Sequence, residues 1–482
     1  MKDKSRVFFN SVIIFTAIIA ENIIFFIINI IIARYLSIEH FGEYSTALGY
    51  ATFFSTLSNI GINQALIRAI NLNQDKKNEH FSAAFILRCI VSVLVYTIMS
   101  VSLFFTNYSY ELIILTLIMG VFRIGNEFLS SFYASFDAEE KFILSSLYSI
   151  AFSIVFLILT IGVVLLHGDL FHFAYVRLWL ILVFFIILFA TYGRAISFRI
   201  PYRSIYSFFI ESIPFGISSI LSVTYQRINI IILSLIHGYI YSGIFSNGFI
   251  FFTTLFFISG AISRPLIPYL YKVSHKNNLP KFQFAFDIYN KCLAIISFYF
   301  MTGAILYGQE VVYLIFGSKY HGSVIILQIV SIGIPFIFTI APVLITSLDK
   351  QPALTKIYIV GFFISIIANI SLIYFYKSEG AAAAAVITYG YIFIATNYYL
   401  AANKFVNVYS IIKIYSWQLL IFFSCYSIKT FIMPEMFWIA SLTIISIIFA
   451  LLNLIFVINK DDTRILREIL NIKKFPLKMY KK

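Results

Sequence analysis

The feature that most constrains this chain is a series of long apolar segments separated by short polar ones. The first segment, residues 10–32, contains 23 residues and a single formal charge, Glu21. A helix that rises about 1.5 Å per residue covers roughly 34 Å over this length, enough to cross a bilayer. The composition agrees, because only 12% of the residues are charged, whereas soluble domains carry about 25%. The sequence therefore predicts an all-α integral membrane protein.

Fourteen such segments follow one another, and they predict about fourteen transmembrane helices. Strands of a membrane β-barrel would be about ten residues long and would alternate in polarity, which these segments do not. The predicted spans are residues 10–32, 42–66, 81–105, 110–136, 142–166, 171–191, 211–236, 241–270, 285–308, 322–348, 355–376, 381–402, 411–432 and 435–458.

The positions of lysine and arginine predict how the helices are oriented. With the N terminus placed in the cytoplasm, 25 of the 35 basic residues fall in or next to cytoplasmic segments, four in or next to outer segments and six deep within spans. Because cytoplasmic loops of membrane proteins collect positive residues, both termini are predicted to be cytoplasmic. The same rule accounts for the net charge of +14, so we expect no nucleic-acid partner.

A short motif occurs twice at matching places in the chain. Residues 41–45 (FGEYS) lie where the second span starts after the first, and residues 242–246 (SGIFS) lie where the eighth span starts after the seventh, 201 residues later. Six spans per repeat is an even number, so the halves share one orientation, with a pseudo-twofold axis along the membrane normal and a cavity between them. The predicted units are a six-helix bundle in 1–195, a second one in 196–405, two additional helices in 406–460 and a basic cytoplasmic tail in 461–482.

Charged residues inside the spans predict the functional site. A charge in hydrocarbon costs about 2.5–3.5 kcal/mol on insertion scales, and it usually faces a cavity or a partner. Away from their ends, the spans hold six positive and two negative charges, an excess of four, and arginine binds phosphate oxygens through its forked donors. The candidate residues of a cationic, substrate-binding cavity are Arg88, Arg123, Arg227, Arg264 and Lys291. Glu21 and Glu127 are the candidates for ion coupling or charge pairing.

Some of these charges have a structural interpretation as well. Arg123 and Glu127 are four residues apart on one helix and could neutralise each other. Arg177, Arg264 and Lys291 lie close to a membrane interface, where a long side chain extends to water, and we prefer this interpretation to substrate contact.

Three further charges complete the set. Arg227 has no carboxylate within one helical turn and is too deep to reach water, which favours a role in the cavity. Glu21 is expected to pair with an arginine of another helix, and proton coupling is the alternative. Arg88 is left open between a cavity role and a structural one.

Several motifs in order resemble one known family. They are residues 33–37 (ARYLS) ahead of FGEYS, residues 225–229 (YQRIN) ahead of SGIFS, residues 316–320 (FGSKY) and the small-residue stretch 380–385. With these motifs the chain resembles polysaccharide flippases of the Wzx type, within the multidrug/oligosaccharidyl-lipid/polysaccharide (MOP) exporter superfamily. It departs from the family at Asn229, where relatives often carry aspartate, so no coupling carboxylate is expected there.

The resemblance implies a transporter without catalysis. Such a flippase moves an undecaprenyl-diphosphate-linked oligosaccharide from the inner to the outer leaflet of the bacterial cytoplasmic membrane by alternating access. The glycan, of O-antigen, capsule or exopolysaccharide type, stays open, as does coupling to H⁺ or Na⁺. No cofactor is implied. The expected partners are the lipid-linked substrate and membrane lipid, with a polysaccharide polymerase and a chain-length regulator as further candidates.

Two other functions are weighed against this one. A drug or cation antiporter of the same superfamily would use acidic groups in its cavity, which the excess of arginine disfavours. A membrane O-antigen polymerase or ligase would need reactive groups on a long outer loop, and no outer loop exceeds about 20 residues. The sequence has no P-loop, no HExxH and no paired Cys or His at metal-ligand spacing, so we expect neither an enzyme nor a metal site.

Overall fold

The computed structural model describes residues 2–193, 196–197, 201–263, 279–348, 350–433 and 436–457. All regular structure in these residues is helical, and the chain is an all-α multi-pass membrane protein, as predicted. The described α-helices are α1 (Lys2–Tyr35), α2 (Ile38–Asn59), α3 (Ile62–Leu72), α4 (Lys77–Leu103), α5 (Tyr110–Ala138), α6 (Phe142–Leu165), α7 (Leu170–Tyr192), α8 (Tyr202–His237), α9 (Tyr239–Ser263), α10 (Leu279–Phe316), α11 (Ser323–Ile332), α12 (Ile334–Ile337), α13 (Ala341–Ser347), α14 (Gln351–Ala402), α15 (Val408–Ser427) and α16 (Trp438–Phe456).

Ten of the described helices are long and apolar enough to cross a membrane, or eleven spans if α11 and the bent α12–α13 segment count as one. The exact number of fourteen and the cytoplasmic position of both termini stay predictions. Below, α1–α7 are called the first half and α8–α14 the second half.

Helix α14 contains a reversal of the chain. Lys377 has a φ of 49°, which is outside the helical range. A Cβ atom on Gly380 would overlap the carbonyl oxygen of Leu372, although residues eight apart in a straight helix are separated by about 12 Å. The predicted spans 355–376 and 381–402 lie on the two sides of this reversal and run antiparallel.

The predicted span 42–66 is not one continuous helix. Helix α2 stops at Asn59, and the next two residues, Ile60 with a φ of 38° and Gly61 with a φ of 77°, have left-handed backbone. A Cβ on Gly61 would lie 2.6 Å from the backbone nitrogen of Gly216 in α8. Glycine is needed here both for the backbone conformation and for the close approach of the second half.

The predicted span 322–348 is broken as well. Helix α11 and the segment that follows it meet at an angle of 47°. Pro335 lies in the first turn of α12 and Pro342 in the first turn of α13. A proline is tolerated in a first turn because the backbone N–H that it lacks would have no partner within the helix.

The turns between helices define two faces of the molecule. The hydroxyl of Tyr35, at the end of α1, donates to the carbonyl oxygen of Gly168 at 2.9 Å, in the turn between α6 and α7. We call this side the Tyr35 face, and the charge distribution predicts that it points outward. The opposite side, where α2 breaks, is called the Gly61 face.

Helix α2 joins the two halves, because it packs on α5 of the first half and on α8 and α9 of the second. The predicted boundaries after residues 195 and 405 stay predictions, and the tail 461–482 lies outside the described residues. The buried apolar side chains form three clusters, drawn from residues 28–208 with four from 312–327, from residues 225–411, and from residues 298–457.

The two copies of the repeated motif touch each other. Gly42 of FGEYS and Gly243 of SGIFS lie where α2 crosses α9. A Cβ on Gly42 would overlap the carbonyl oxygen of Tyr239, and a Cβ on Gly243 would overlap that of Ile38. Tyr239 is the repeat equivalent of Ile38, so the contact is reciprocal, as expected of a pseudo-twofold axis. Small residues let the two helix backbones approach this closely.

We predict that Gly42→Ala lowers the thermal unfolding temperature of the detergent-purified protein by several degrees. The added methyl group forces α2 and α9 apart, and overpacking of this kind costs about 1–3 kcal/mol. Gly162→Ala in α6 is the matched control, because a Cβ there meets nothing within 4 Å. Its unfolding temperature should stay the same or rise, since alanine is the better helix former. Equal effects of the two substitutions would contradict the close approach.

Candidate functional site

A cavity of about 500 Å³ lies between the two halves. Helices α1, α2, α5, α6 and α7 line it from the first half, and α8 and α9 line it from the second. Its size is within the range of about 300–1,000 Å³ that is usual for ligand pockets. Among the described residues that line it, the charged side chains are Glu21, Arg123, Arg177 and Arg227, a surplus of two positive charges.

Arg123 on α5 and Arg227 on α8 reach the cavity from opposite halves. Both side chains are half-buried, and neither forms a hydrogen bond or ion pair with a described residue. The Nε atom of Arg123 is buried without any partner. An unpartnered buried guanidinium is energetically costly, and an anion that enters the cavity would supply the missing acceptors.

The structure corrects the expectation for Arg177, which is not at an interface but in the cavity wall, with 5% of its surface exposed. Its Nε donates to the hydroxyl of Tyr44 at 2.7 Å. The guanidinium carbon lies 4.5 Å from the ring centre of Phe156 and 5.1 Å from that of Phe122. Aromatic faces attract a cation and partly replace its water, so Arg177 is held inside the protein without a carboxylate partner.

The structure also corrects the assignment of Arg88, which does not line the cavity. This side chain is fully buried, with its Nη1 3.1 Å from the Glu127 carboxylate and its Nη2 donating to Asn63 at 2.8 Å. Asn59 donates to the same Glu127 oxygen at 3.0 Å. Glu127 is therefore the partner of Arg88 rather than of Arg123, and the network ties α4 and α5 to the break between α2 and α3.

Glu21 lines the cavity from α1, but its partner is not the expected arginine. The Ser149 hydroxyl of α6 donates to its carboxylate at 2.6 Å. No described arginine forms an ion pair with it. The interpretation as a cross-helix ion pair is wrong in this structure, whereas a coupling role stays a prediction.

Two predicted binding residues remain, Lys291 and Arg264. Lys291 of α10 is absent from the described lining, and Arg264 lies outside the described residues. The structure thus brings two of the five candidate binding residues, Arg123 and Arg227, together in one site. Their role in binding stays a prediction.

The positive charges of the cavity lie between the Tyr35 face and the middle of the molecule. Counted at about 1.5 Å per residue from the helix ends, the depths below that face are about 10 Å for Arg177, 15 Å for Arg227 and 20 Å for Arg123. Glu21 lies at a similar depth to Arg123, about 21 Å. The cavity is therefore most positive on the side of the Tyr35 face.

The sequence of this chain matches a known protein family. The family described as "Polysaccharide biosynthesis protein" matches residues 7–274, which is more than half of the chain. The chain belongs to the polysaccharide biosynthesis protein family. The resemblance drawn from the motifs is thereby confirmed at the level of the family. A search of curated protein sequences gives no match.

Solved structures with a similar fold are flippases and transporters rather than enzymes. The lipid II flippase MurJ in an inward closed conformation is 15% identical, with a TM-score of 0.73 over 97% of this chain and 99% of that one. An inward-facing MATE multidrug resistance transporter of the MOP superfamily is 14% identical, with a TM-score of 0.60 over 80% and 95%. A MOP superfamily transporter from Pyrococcus furiosus is 12% identical, with a TM-score of 0.55 over 86% and 95%. At these identities the likeness shows the fold alone.

Sequence reasoning missed part of the site in this member of the polysaccharide biosynthesis protein family. It did not predict Arg177, Tyr44 or Ser149 as cavity residues. Tyr44 carried a signal, because it belongs to the repeated FGEYS motif. Arg177 carried one as a charge within a predicted span, but it was assigned to an interface. Ser149 carried none, since its neighbours in space come from helices far away in the sequence.

We predict that Arg88→Met strongly destabilises this family member, whereas Arg227→Met does not. Removal of one partner from a buried ion pair costs about 3–5 kcal/mol, and the first substitution leaves Glu127 without its cation. The second removes no described hydrogen bond. Thermal unfolding in detergent measures both, and Arg88→Met/Glu127→Met should recover part of the loss. An unchanged unfolding temperature for Arg88→Met would refute the structural role of the pair.

Proposed function

We propose that this protein is a flippase of the bacterial cytoplasmic membrane. Its substrate is an undecaprenyl-diphosphate-linked oligosaccharide, a repeat unit of O-antigen, capsule or exopolysaccharide, which it moves from the cytoplasmic to the outer leaflet. The observation that carries this proposal is the cavity between the halves, lined by three arginines and one glutamate. Membership of a polysaccharide biosynthesis family supports a saccharide as the cargo.

The diphosphate is the part of the substrate that the arginines recognise. Arg123 and Arg227 present unused N–H donors from the two halves, and a guanidinium matches two phosphate oxygens at once. Arg177 adds a third positive charge whose position is fixed by Tyr44. Because the cations are in place before the substrate arrives, little of the binding free energy is lost in ordering them.

The sugars require polar groups that carry no charge. Asn22, Asn126 and Gln226 line the cavity and can both donate and accept hydrogen bonds. The volume of about 500 Å³ holds a small ligand, so we infer that it accommodates the diphosphate and the first sugars rather than a long glycan.

Alternating access follows from the contacts of α2. This helix touches the second half through Gly42 and Gly243 near the Tyr35 face, and the break that follows it touches α8 through Gly61 and Gly216 near the opposite face. A substrate that crosses the membrane through the cavity needs one of these contacts to open while the other stays closed.

Glu21 is the candidate for coupling to H⁺ or Na⁺. Its described hydrogen-bond partner is the neutral hydroxyl of Ser149, so the carboxylate is not committed to an arginine and can exchange a cation when the cavity opens. We expect Glu21→Gln to keep the bond to Ser149 and to abolish any dependence of transport on the pH or Na⁺ gradient. An unchanged dependence in vesicles would exclude this role.

The alternative of a drug or cation antiporter is disfavoured by the same cavity. Two surplus positive charges repel an organic cation, and the likeness to MATE transporters shows the fold alone. Contacts with a polymerase and a chain-length regulator stay predictions.

We predict that Arg123→Ala and Arg227→Ala each reduce surface polysaccharide at least about tenfold, the effect of losing one charge-assisted contact of roughly 1.5–3 kcal/mol. Arg227→Lys should retain part of the function if charge alone matters. The assay is complementation of a strain that lacks its flippase, with immunoblots of the membrane fraction. Lys413→Ala, an exposed cation of α15 outside the cavity lining, is the control. Normal polysaccharide in both alanine variants would end the proposal of a cationic binding cavity.

A further inference from the structure

The ends of α1 and α10 meet at the Tyr35 face, one from each half. Lys319, just after α10, donates from Nζ to the carbonyl oxygens of Arg34 at 2.9 Å and of Leu36 at 2.6 Å. In return, Nε of Arg34 donates to the carbonyl oxygen of Ile315 at 2.7 Å, and its Nη2 donates to that of Leu314. Each helix end therefore receives its cation from the other half.

The chemistry of helix ends explains why these bonds form. The last four carbonyl groups of a helix lack partners within it and carry the negative end of the helix dipole. Lysine and arginine are their preferred partners. Helices usually obtain such a cation from their own sequence, but here the exchange is mutual. Separation of the halves at this point would leave both helix ends without their caps at once.

Tyr320 strengthens the same junction from inside. Its side chain is fully buried, and its hydroxyl donates to the carbonyl oxygen of Ala33 at 3.0 Å. Its ring lies edge-on to Phe41 with 6.0 Å between the centres, and Phe41 directly precedes Gly42 of the glycine crossing. The exchanged caps and the crossing of α2 with α9 therefore form one continuous contact between the halves.

Arg34 and Lys319 differ from Tyr320 in their exposure to water, which matters for a contact that opens and closes. Arg34 and Lys319 are exposed, so water can replace the carbonyl oxygens when the contact separates. Exposed charge contacts contribute little net stability because the solvated state is nearly as favourable. Such bonds can break and form again in every cycle, which a buried ion pair such as that of Arg88 cannot do cheaply.

We propose that Arg34 and Lys319 form a reciprocal cap lock, which holds the two halves together on the Tyr35 face and opens each time the cavity opens to that side. The proposal rests on the proposed function, because alternating access is what requires this face to open. The lock sets how often the cavity is open outward, and it is distinct from the residues that bind the substrate.

The test measures the opening directly. Ser45 lines the cavity from α2 and serves as the reporter position, as Ser45→Cys in a protein whose native cysteines, Cys89, Cys292 and Cys425, are replaced by serine or alanine. The rate of labelling by a membrane-impermeant maleimide is compared in intact cells and in inverted vesicles. The two preparations also establish which side of the membrane the Tyr35 face is on.

We expect Arg34→Leu and Lys319→Leu each to raise the labelling rate from the Tyr35 face at least about fivefold. Arg34→Lys, which keeps the charge and one donor, should raise it less. Lys377→Leu is the matched control, because Lys377 also donates at this face, to Tyr241 at 2.8 Å, but both residues belong to the second half. Its labelling rate should equal that of the parent.

Other outcomes would overturn the lock. If the labelling rate is unchanged in both leucine variants, the contact does not control opening. A lowered unfolding temperature would then show only that the contact stabilises the fold. If the leucine variants fail to reach the membrane, Arg34→Gln and Lys319→Gln provide the same comparison. Faster labelling together with normal polysaccharide in the Arg123→Ala and Arg227→Ala strains would support the lock and contradict only the assigned substrate.

Discussion

An arginine side chain inside a bilayer needs water, a partner or an anion, and this protein meets that need in three ways. Arg88 has a carboxylate, that of Glu127, and is fully buried with it. Arg177 has aromatic rings and one hydroxyl. Arg123 and Arg227 have neither among the described residues, and they face a shared cavity. The first two solutions are complete without a ligand. Arg123 and Arg227 lack described acceptors until an anion is present, so their unused donors indicate where the substrate binds.

Helix α2 connects that site to the two faces of the molecule. It carries Tyr44, which holds Arg177, and it touches the second half through Gly42, while Gly61 in the break that follows it touches the second half on the other side of the cavity. Movement of α2 against α8 and α9 would therefore change the cavity and both closures together. The exchange of helix caps by Arg34 and Lys319 lies at the end of this helix that points to the Tyr35 face.

Much of this architecture could be predicted from local patterns. The apolar segments predicted an all-helical membrane protein, and the repeat of FGEYS at 242–246 predicted a symmetric arrangement, whose glycines turn out to touch. The break at Gly61 within one predicted span was missed, because hydropathy averages over a window and does not detect a left-handed residue. The point where a helix ends or reverses depends on single residues, and hydropathy averaged over a segment does not detect single residues.

The assignment of charges could be predicted less well. The spacing of four residues allowed a pair between Arg123 and Glu127, but Arg88 of the neighbouring helix is the partner of Glu127. A fully buried arginine needs the carboxylate more than one that can face a cavity. Arg177 was expected to extend to water, and the rings that retain it come from α2, α5 and α6, whose proximity no sequence pattern contains. Contacts between helices therefore determine which arginines stay unpaired and are available to bind a substrate.

If Arg123 and Arg227 bind the diphosphate of a lipid-linked sugar, the equilibrium affinity of the purified protein depends on the charge of the headgroup. Purified protein would be titrated with a polyprenyl diphosphate sugar, the corresponding monophosphate and the neutral polyprenol. We expect affinity to rise with the charge of the headgroup, to fall as salt is added, and to lose its dependence on charge when Arg123 and Arg227 are both replaced by alanine. Equal affinity for the diphosphate and the neutral alcohol in the unmodified protein would contradict this role of the two arginines.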